Sequence, residues 1–385
     1  MVIQIDGSSG VNKGAQLMLV AVLQEIKQKH PDAKIIVNNN YETNKEFIKN
    51  LYGNNFRIRR NATFCKIVNK FDLVRVAGWF SRKLARLLTD KNAIKGVDVC
   101  LNIGGFQFGD QWDHNDDYVS NWRDYLRKQH LYGTISVFMP QAFGPFYKLG
   151  SKNILNVLNE NADIIIARDD VSYKYLEAES VDKAKVFQYP DFTASVQPKE
   201  TEYSKKYSGK ICIIPNSKIF KTGTMDRGAY IESILAIVDH VYDNGQEVLL
   251  LNHEGVGDLN LCKQISEKST HELPVITGLD ALETKGVIAA SYFVISSRFH
   301  GVANSLSSCV PCLATSWSHK YQKLLEEYKQ EEYLINLSDL DSAYKKIDVF
   351  LNKEGNKKTR GILEEMNIAV IAKNREMWDM IWSRV

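Results

Sequence analysis

The feature that most limits what this chain can fold into is its alternation of short apolar runs with longer stretches of helical spacing. Val2–Asp6 is a short apolar run. Residues 15–29 then carry apolar side chains at 17, 19, 20, 22, 23 and 26 and are stopped by Pro31, which reads as a helix. Lys34–Asn38 is a second strand-like run. Strand, helix and strand in such close order form a βαβ unit, which implies a parallel sheet. Further strands fit 97–103, 134–139, Ile164–Ala167 and 185–188.

The stretch 197–209 is polar and charged, with one proline, and reads as a linker. A second α/β series follows. Strands are expected at 210–215, 247–252, 275–277, 292–296 and 311–316. Helices are expected at 228–244, 258–269, 281–290 and 302–308, and one long helix at 357–385. The expected fold is therefore α/β, with two Rossmann-like domains facing a cleft. The division is residues 1–196, a linker at 197–209, residues 210–352, and a C-terminal helix at 353–385 free to cross back. At 385 residues the chain is long enough for two buried cores.

Lys and Arg outnumber Asp and Glu only 49 to 46, so bulk positive charge does not mark the chain as a nucleic-acid binder. No run reaches the roughly 18–20 apolar residues of a membrane span. The opening Met1-Val-Ile-Gln-Ile-Asp6 lacks the basic and apolar regions of a signal peptide, so a cytoplasmic location is expected. The six cysteines, at 65, 100, 212, 262, 309 and 312, are then expected to be buried thiols. Cys309-Val-Pro-Cys312 has no second pair to complete a zinc site, and it follows a helix rather than opening one.

In open α/β sheets, ligands bind beyond the carboxyl ends of the strands. Three turns there carry chemistry. Ser296-Ser-Arg298-Phe299-His300-Gly301 joins a strand to a helix N-terminus, whose free N–H groups favour an anion. Arg298 adds a planar fork suited to phosphate, His300 a titratable group, and Gly301 room for close approach. The plainer alternative is an arginine–carboxylate pair beside a packed histidine. Ala167-Arg168-Asp-Asp-Val-Ser follows a strand and opens a helix; there Arg168 either projects from the strand end or pairs with Asp169 or Asp170. The third turn, Gly7 to Gly14, matches neither a Walker A loop nor GxGxxG, so it is either a tight turn or a place where Asn12 and Lys13 meet a phosphate or sugar. Weaker polar candidates end other strands: Asp110, Gln141 and His253. No metal-binding signature and no GxSxG nucleophile elbow is present.

These blocks, taken in order, resemble the polysaccharide pyruvyl transferase family. The residues that carry the resemblance are Gly10-Val-Asn12-Lys13-Gly14, Gly104-Gly-Phe-Gln-Phe-Gly-Asp110, Pro140-Gln141-Ala-Phe-Gly-Pro145, Ala167-Arg168-Asp-Asp-Val-Ser172, Ser297-Arg298-Phe-His300-Gly301 and Ser316-Trp-Ser-His-Lys320-Tyr. The opening block departs from the family's asparagine-then-glycine order. The resemblance implies a fold similar to GT-B glycosyltransferases, with the acceptor on the first domain and the donor on the second. It also implies transfer of a pyruvyl group from phosphoenolpyruvate to two hydroxyls of a sugar, giving a cyclic ketal and phosphate. Arg298 and Arg168 would hold the donor, with Phe299 and Gly301 beside it, and His300 would be the acid/base residue. Asn12, Lys13, Asp110, Gln141, His253 and Lys320 are candidate substrate contacts. No metal or cofactor is called for, so activity is expected to survive a chelator.

Two other readings share the scaffold. One is a GT-B nucleotide-sugar glycosyltransferase or epimerase, which needs a base-binding pocket that the sequence does not reveal. The other is a non-catalytic anion- or glycan-binding module. A last feature concerns membranes. Residues 57–88 hold nine basic side chains against the single acid Asp72, interleaved with Phe64, Trp79, Phe80 and several Leu and Val. Helices with one apolar and one basic face are expected there, either as core-facing helices with a solvated basic side or as contacts to an anionic membrane. The second option suits a lipid-linked acceptor.

Overall fold

A computed structural model describes residues 1–8, 12–38, 48–49, 53, 56–59, 95–112, 114–222, 225–315 and 319–385. The stretch read as an amphipathic membrane contact lies outside them, apart from 57–59. Those three residues belong to a β-strand rather than a helix.

The chain divides into two compact units. The first holds a seven-stranded parallel sheet: β1 (Val2–Asp6), β2 (Lys34–Asn38), β3 (Phe56–Arg59), β4 (Val99–Asn102), β5 (Ile135–Gln141), β6 (Ile164–Ala167) and β7 (Val186–Gln188). Its strand order is β3-β2-β1-β4-β5-β6-β7. Its described helices are α1 (Lys13–Lys29), α2 (Asp116–Leu131), α3 (Leu149–Asn161) and α4 (Asp170–Ala178). Phe108, Phe138, Phe143, Ile154, Leu158 and Ile165 build one face of its core.

The second unit holds a five-stranded parallel sheet: β8 (Ile211–Ile214), β9 (Val248–Leu251), β10 (Val275–Ile276), β11 (Val294–Ser296) and β12 (Cys312–Ala314). The order is β10-β9-β8-β11-β12. Its helices are α5 (Glu202–Lys206), α6 (Arg227–Asp243), α7 (Gly255–Lys268), α8 (Ala281–Ala289), α9 (Phe299–Ser307), α10 (His319–Glu327), α11 (Leu340–Leu351) and α12 (Lys353–Trp382). Strand β8 shows why a parallel strand reads as an unbroken apolar run. Ile211 and Ile213 pack with Tyr230, Ile234 and Ile347, while Cys212 and Ile214 pack on the other face with Val302, Leu306 and Leu325. Both faces are covered, so every side chain is apolar. Truncating Ile213 to alanine would cost roughly 2–5 kcal/mol.

Two helices contribute to both units. Residues 12–17, at the start of α1, group with the second unit and the rest of that helix with the first. In α12, residues up to Lys373 group with the second unit and those from Asn374 on with the first.

The polar stretch 197–209, read as a linker, holds a short helix. This is α5, closed by a capping box in which the Ser204 N–H donates to Thr201 Oγ1 and the Thr201 N–H to Ser204 Oγ. Cys100, Cys212, Cys262 and Cys312 are buried free thiols and Cys309 is partly buried; Cys65 lies outside the described residues. Burial pushes the Cys262 and Cys312 thiols up to about 12. No helix among the described residues is long and apolar enough to cross a membrane.

Candidate active site

In the second sheet the strand order reverses between β8 and β11. The turn after β11 is fixed by short-range bonds. The Ser297 N–H donates to Ile214 O at 2.9 Å, and Ser297 O accepts from Asn216 Nδ2 and from the Tyr321 hydroxyl. The Ser297 hydroxyl meets the Tyr230 hydroxyl at 2.7 Å and that of Thr315. Ser296 Oγ accepts from the Arg298 N–H and donates to Arg298 O. This turn places Arg298 at the N-cap of α9, with no side-chain cap of its own.

The Arg298 side chain is 9% exposed and engaged by two carboxylates. Its Nε and Nη2 donate to the two oxygens of Asp258 at 2.8 and 2.6 Å. Its Nη1 donates to Glu254 Oε2. Asp258 also accepts from the N–H and hydroxyl of Ser217, at 2.9 and 2.8 Å. The second oxygen of Glu254 takes Lys218 Nζ. Arg298 thus makes the carboxylate pairing expected of the plainer alternative. An anion reaching its fork meets Glu254 first, since Glu254 is 15% exposed and Asp258 is fully buried.

His300 is the second residue of α9, and its ring lies against the first turn of α1. A Cβ added to Gly14 would sit 2.0 Å from His300 Nδ1. Asn12 caps that turn, its Oδ1 accepting from the N–H groups of Gly14 and Ala15. The backbone of Asn12 also bridges to Glu254. Lys13 reaches Gln16 Oε1 at 3.5 Å, and burial lowers its pKa against the opposing pull of Asp280 and Glu283. His253 is 2% exposed, and its Nε2 has no hydrogen-bond partner among the described residues. Burial first, then Arg298, His300 and Lys13, push its pKa well below the usual histidine value.

Around this cluster, Phe299 packs edge-on against His300 and Tyr321. Lys320 Nζ lies 5.8 Å from the centre of the Phe299 ring and 5.6 Å from that of Tyr321. A Cβ on Gly301 would come within 2.3 Å of Ser296 Oγ, so glycine there lets α9 lie directly on β11. Asn12, Lys13, His253, Arg298, Phe299, His300, Gly301 and Lys320 all fall in the second unit.

The remaining candidates fall in the first unit. Arg168 follows β6 and pairs with Asp191 at 3.6 Å, both side chains 8% exposed. Asp169 instead caps α4 through the Ser172 N–H, and Asp170 pairs with Lys174. Gln141 ends β5, fully buried, with neither amide atom partnered among the described residues. The Asp110 carboxylate accepts from the N–H groups of Tyr147 and Lys148 and from the Ser151 hydroxyl, which ties its loop to the start of α3. Against a burial penalty, those bonds hold its pKa below the usual carboxylate value.

The sequence does not single out Asp258 or Lys218, and marks Glu254 only as the end of the polar turn Asn252-His253-Glu254. A usable signal was present. Glu254 and Asp258 stand four residues apart where a helix begins, which puts both carboxylates on one helical face.

A family model described as polysaccharide pyruvyl transferase matches residues 12–319. Among solved structures, the chain resembles UDP-GlcNAc 2-epimerase from Neisseria meningitidis bound to UDP-GlcNAc, with 11% identity, a TM-score of 0.64 and 99% of each chain covered. It also resembles Anabaena HepE in complex with UDP, with 9% identity, a TM-score of 0.64 and 99% of each chain covered. A third is UDP-GlcNAc 2-epimerase from Methanocaldococcus jannaschii, with 13% identity, a TM-score of 0.57, and 92% of this chain and 94% of that one covered. At these identities the likeness is one of fold: two parallel α/β sheets of the GT-B kind.

Proposed function

The chain belongs to the polysaccharide pyruvyl transferase family, and we propose that it moves the enolpyruvyl group of phosphoenolpyruvate onto two hydroxyls of a sugar in a polysaccharide precursor. The supporting observation is one cluster: the imidazole of His300, the cations Lys13 and Arg298, and the starts of α1 and α9 beyond the carboxyl end of β11.

The chemistry follows from those groups. Protonated His300 gives a proton to the methylene carbon of phosphoenolpyruvate, leaving an oxocarbenium carbon at C2. One sugar hydroxyl adds to C2 and returns its proton to His300. The C2–O–phosphate bond then breaks, with the departing charge met by Arg298, Lys13 and the helix N-termini. The second hydroxyl closes the ketal, and its proton leaves with phosphate. His253 does not suit the first step, because it is held neutral. The resemblance also proposes Arg168 for the donor. An Arg168→Ala variant with unchanged KM for phosphoenolpyruvate would remove it.

Offering the protein phosphoenolpyruvate and UDP-sugars together with glycan acceptors tests this reading. Phosphate release that depends on both acceptor and phosphoenolpyruvate supports it. UDP release instead would favour the nucleotide-sugar alternative. The acceptor is proposed to be lipid-linked and met at the inner face of the cell membrane through residues 57–88.

A further inference from the structure

We propose that Glu254 is a built-in competitor at this site: it holds the two cations an anionic ligand must claim, so that a ligand binds only by displacing the Glu254 carboxylate. The proposal rests on the assignment of Arg298 to the donor, and it adds a residue which that assignment does not require.

The two carboxylates on Arg298 differ in standing. Asp258 is fully buried and takes four bonds, from Arg298 Nε and Nη2 and from the N–H and hydroxyl of Ser217. Freeing it would leave a buried charge without its partners, which is strongly destabilising. Glu254 is partly exposed, and each of its oxygens holds one cation, Arg298 Nη1 and Lys218 Nζ. It stands at the N-cap of α7 but makes no side-chain cap bond. Its backbone is anchored to Asn12. The side chain can therefore leave by rotation about its own bonds, with the chain held in place and water ready to solvate it.

Exchange on the same two cations sets the affinity threshold, and the charge of the ligand decides how readily it is passed. A carboxylate ligand replaces one monoanion by another and gains no charge. A phosphate monoester brings a second negative charge to Arg298 and Lys218, with Lys13 in the same cluster. Removing the Glu254 charge abolishes the competition, so every anion should bind tighter, phosphate and acetate by similar factors, because the cost of displacing Glu254 is common to both.

The test is calorimetric titration of inorganic phosphate and of acetate into the full chain, as wild type and as Glu254→Gln. The expected result is a gain of about tenfold in phosphate affinity and a gain of similar factor for acetate in the variant. Phosphate affinity unchanged or weakened would overturn the proposal, as would loss of the fold in both Glu254→Gln and Glu254→Ala, which would make Glu254 a structural partner of Arg298. No turnover is needed. Normal use of phosphoenolpyruvate with no gain in the variant defeats this inference alone. A gain in a protein that leaves phosphoenolpyruvate untouched defeats the functional reading alone.

Discussion

His253 and His300 share one cluster but face opposite demands. Burial and the neighbouring Arg298, His300 and Lys13 favour neutral His253. Its folded pKa lies below the ordinary value of about 6.5. Above that pH neither the folded nor the unfolded state is protonated and nothing is lost. Below it the unfolded chain binds a proton that the folded chain refuses, so stability falls as pH falls, by up to about 1.4 kcal/mol per pH unit. Chemical denaturation of wild type and His253→Asn between pH 8 and pH 5 checks this. The variant should show a flatter acid limb, and identical limbs would contradict the account. In the proposed reaction His300 gives a proton. His300→Ala should lower kcat by about 10²–10⁴-fold while phosphoenolpyruvate still binds by calorimetry. A near-normal kcat would take His300 out of the chemistry.

At the scale of elements, the first turn of α1 supports the His300 ring. Gly14→Ala should raise helix propensity by about 1 kcal/mol, yet its methyl would fall on the imidazole. The expected outcome is a folded protein, with a Tm lowered by the displaced ring, and kcat reduced about tenfold or more, since small displacements of a reacting group are costly. Unchanged kcat would show that the ring is free to move aside. This turn also marks where the sequence was readable and where it was not. Helical spacing locates α1 and starts it at residue 15, because Asn12 and Lys13 read as loop; the Asn12 cap moves the start to Lys13. Strands such as β6 and β8 were legible because both of their faces are buried. Strand β3 was missed: Phe56-Arg-Ile-Arg59 is short and half basic, and its charge drew it into a helical pattern. In 197–209, Thr201–Ser204 capping adds a short helix that the polar composition does not announce.

For the whole molecule, alternation of elements was enough to indicate parallel sheets, but not which strands would be neighbours. β8 pairs with β11 across more than eighty residues, and Arg298 meets Glu254 and Asp258 from a different strand-to-helix turn. A fork suited to phosphate was legible in Ser-Arg-Phe-His-Gly. The carboxylates that fill it were not, because pairing across distant turns leaves no periodic trace in one sequence. Family membership and fold give the chemistry its frame, and the local groups of the second unit give it its candidates. The central claim is tested most directly by incubating the full chain with phosphoenolpyruvate, a UDP-sugar and a lipid-linked glycan extract, then measuring phosphate and glycan mass together. The account predicts phosphate released in step with a glycan heavier by one pyruvate ketal, both lost in His300→Ala. Phosphoenolpyruvate recovered intact while the UDP-sugar is converted would contradict it.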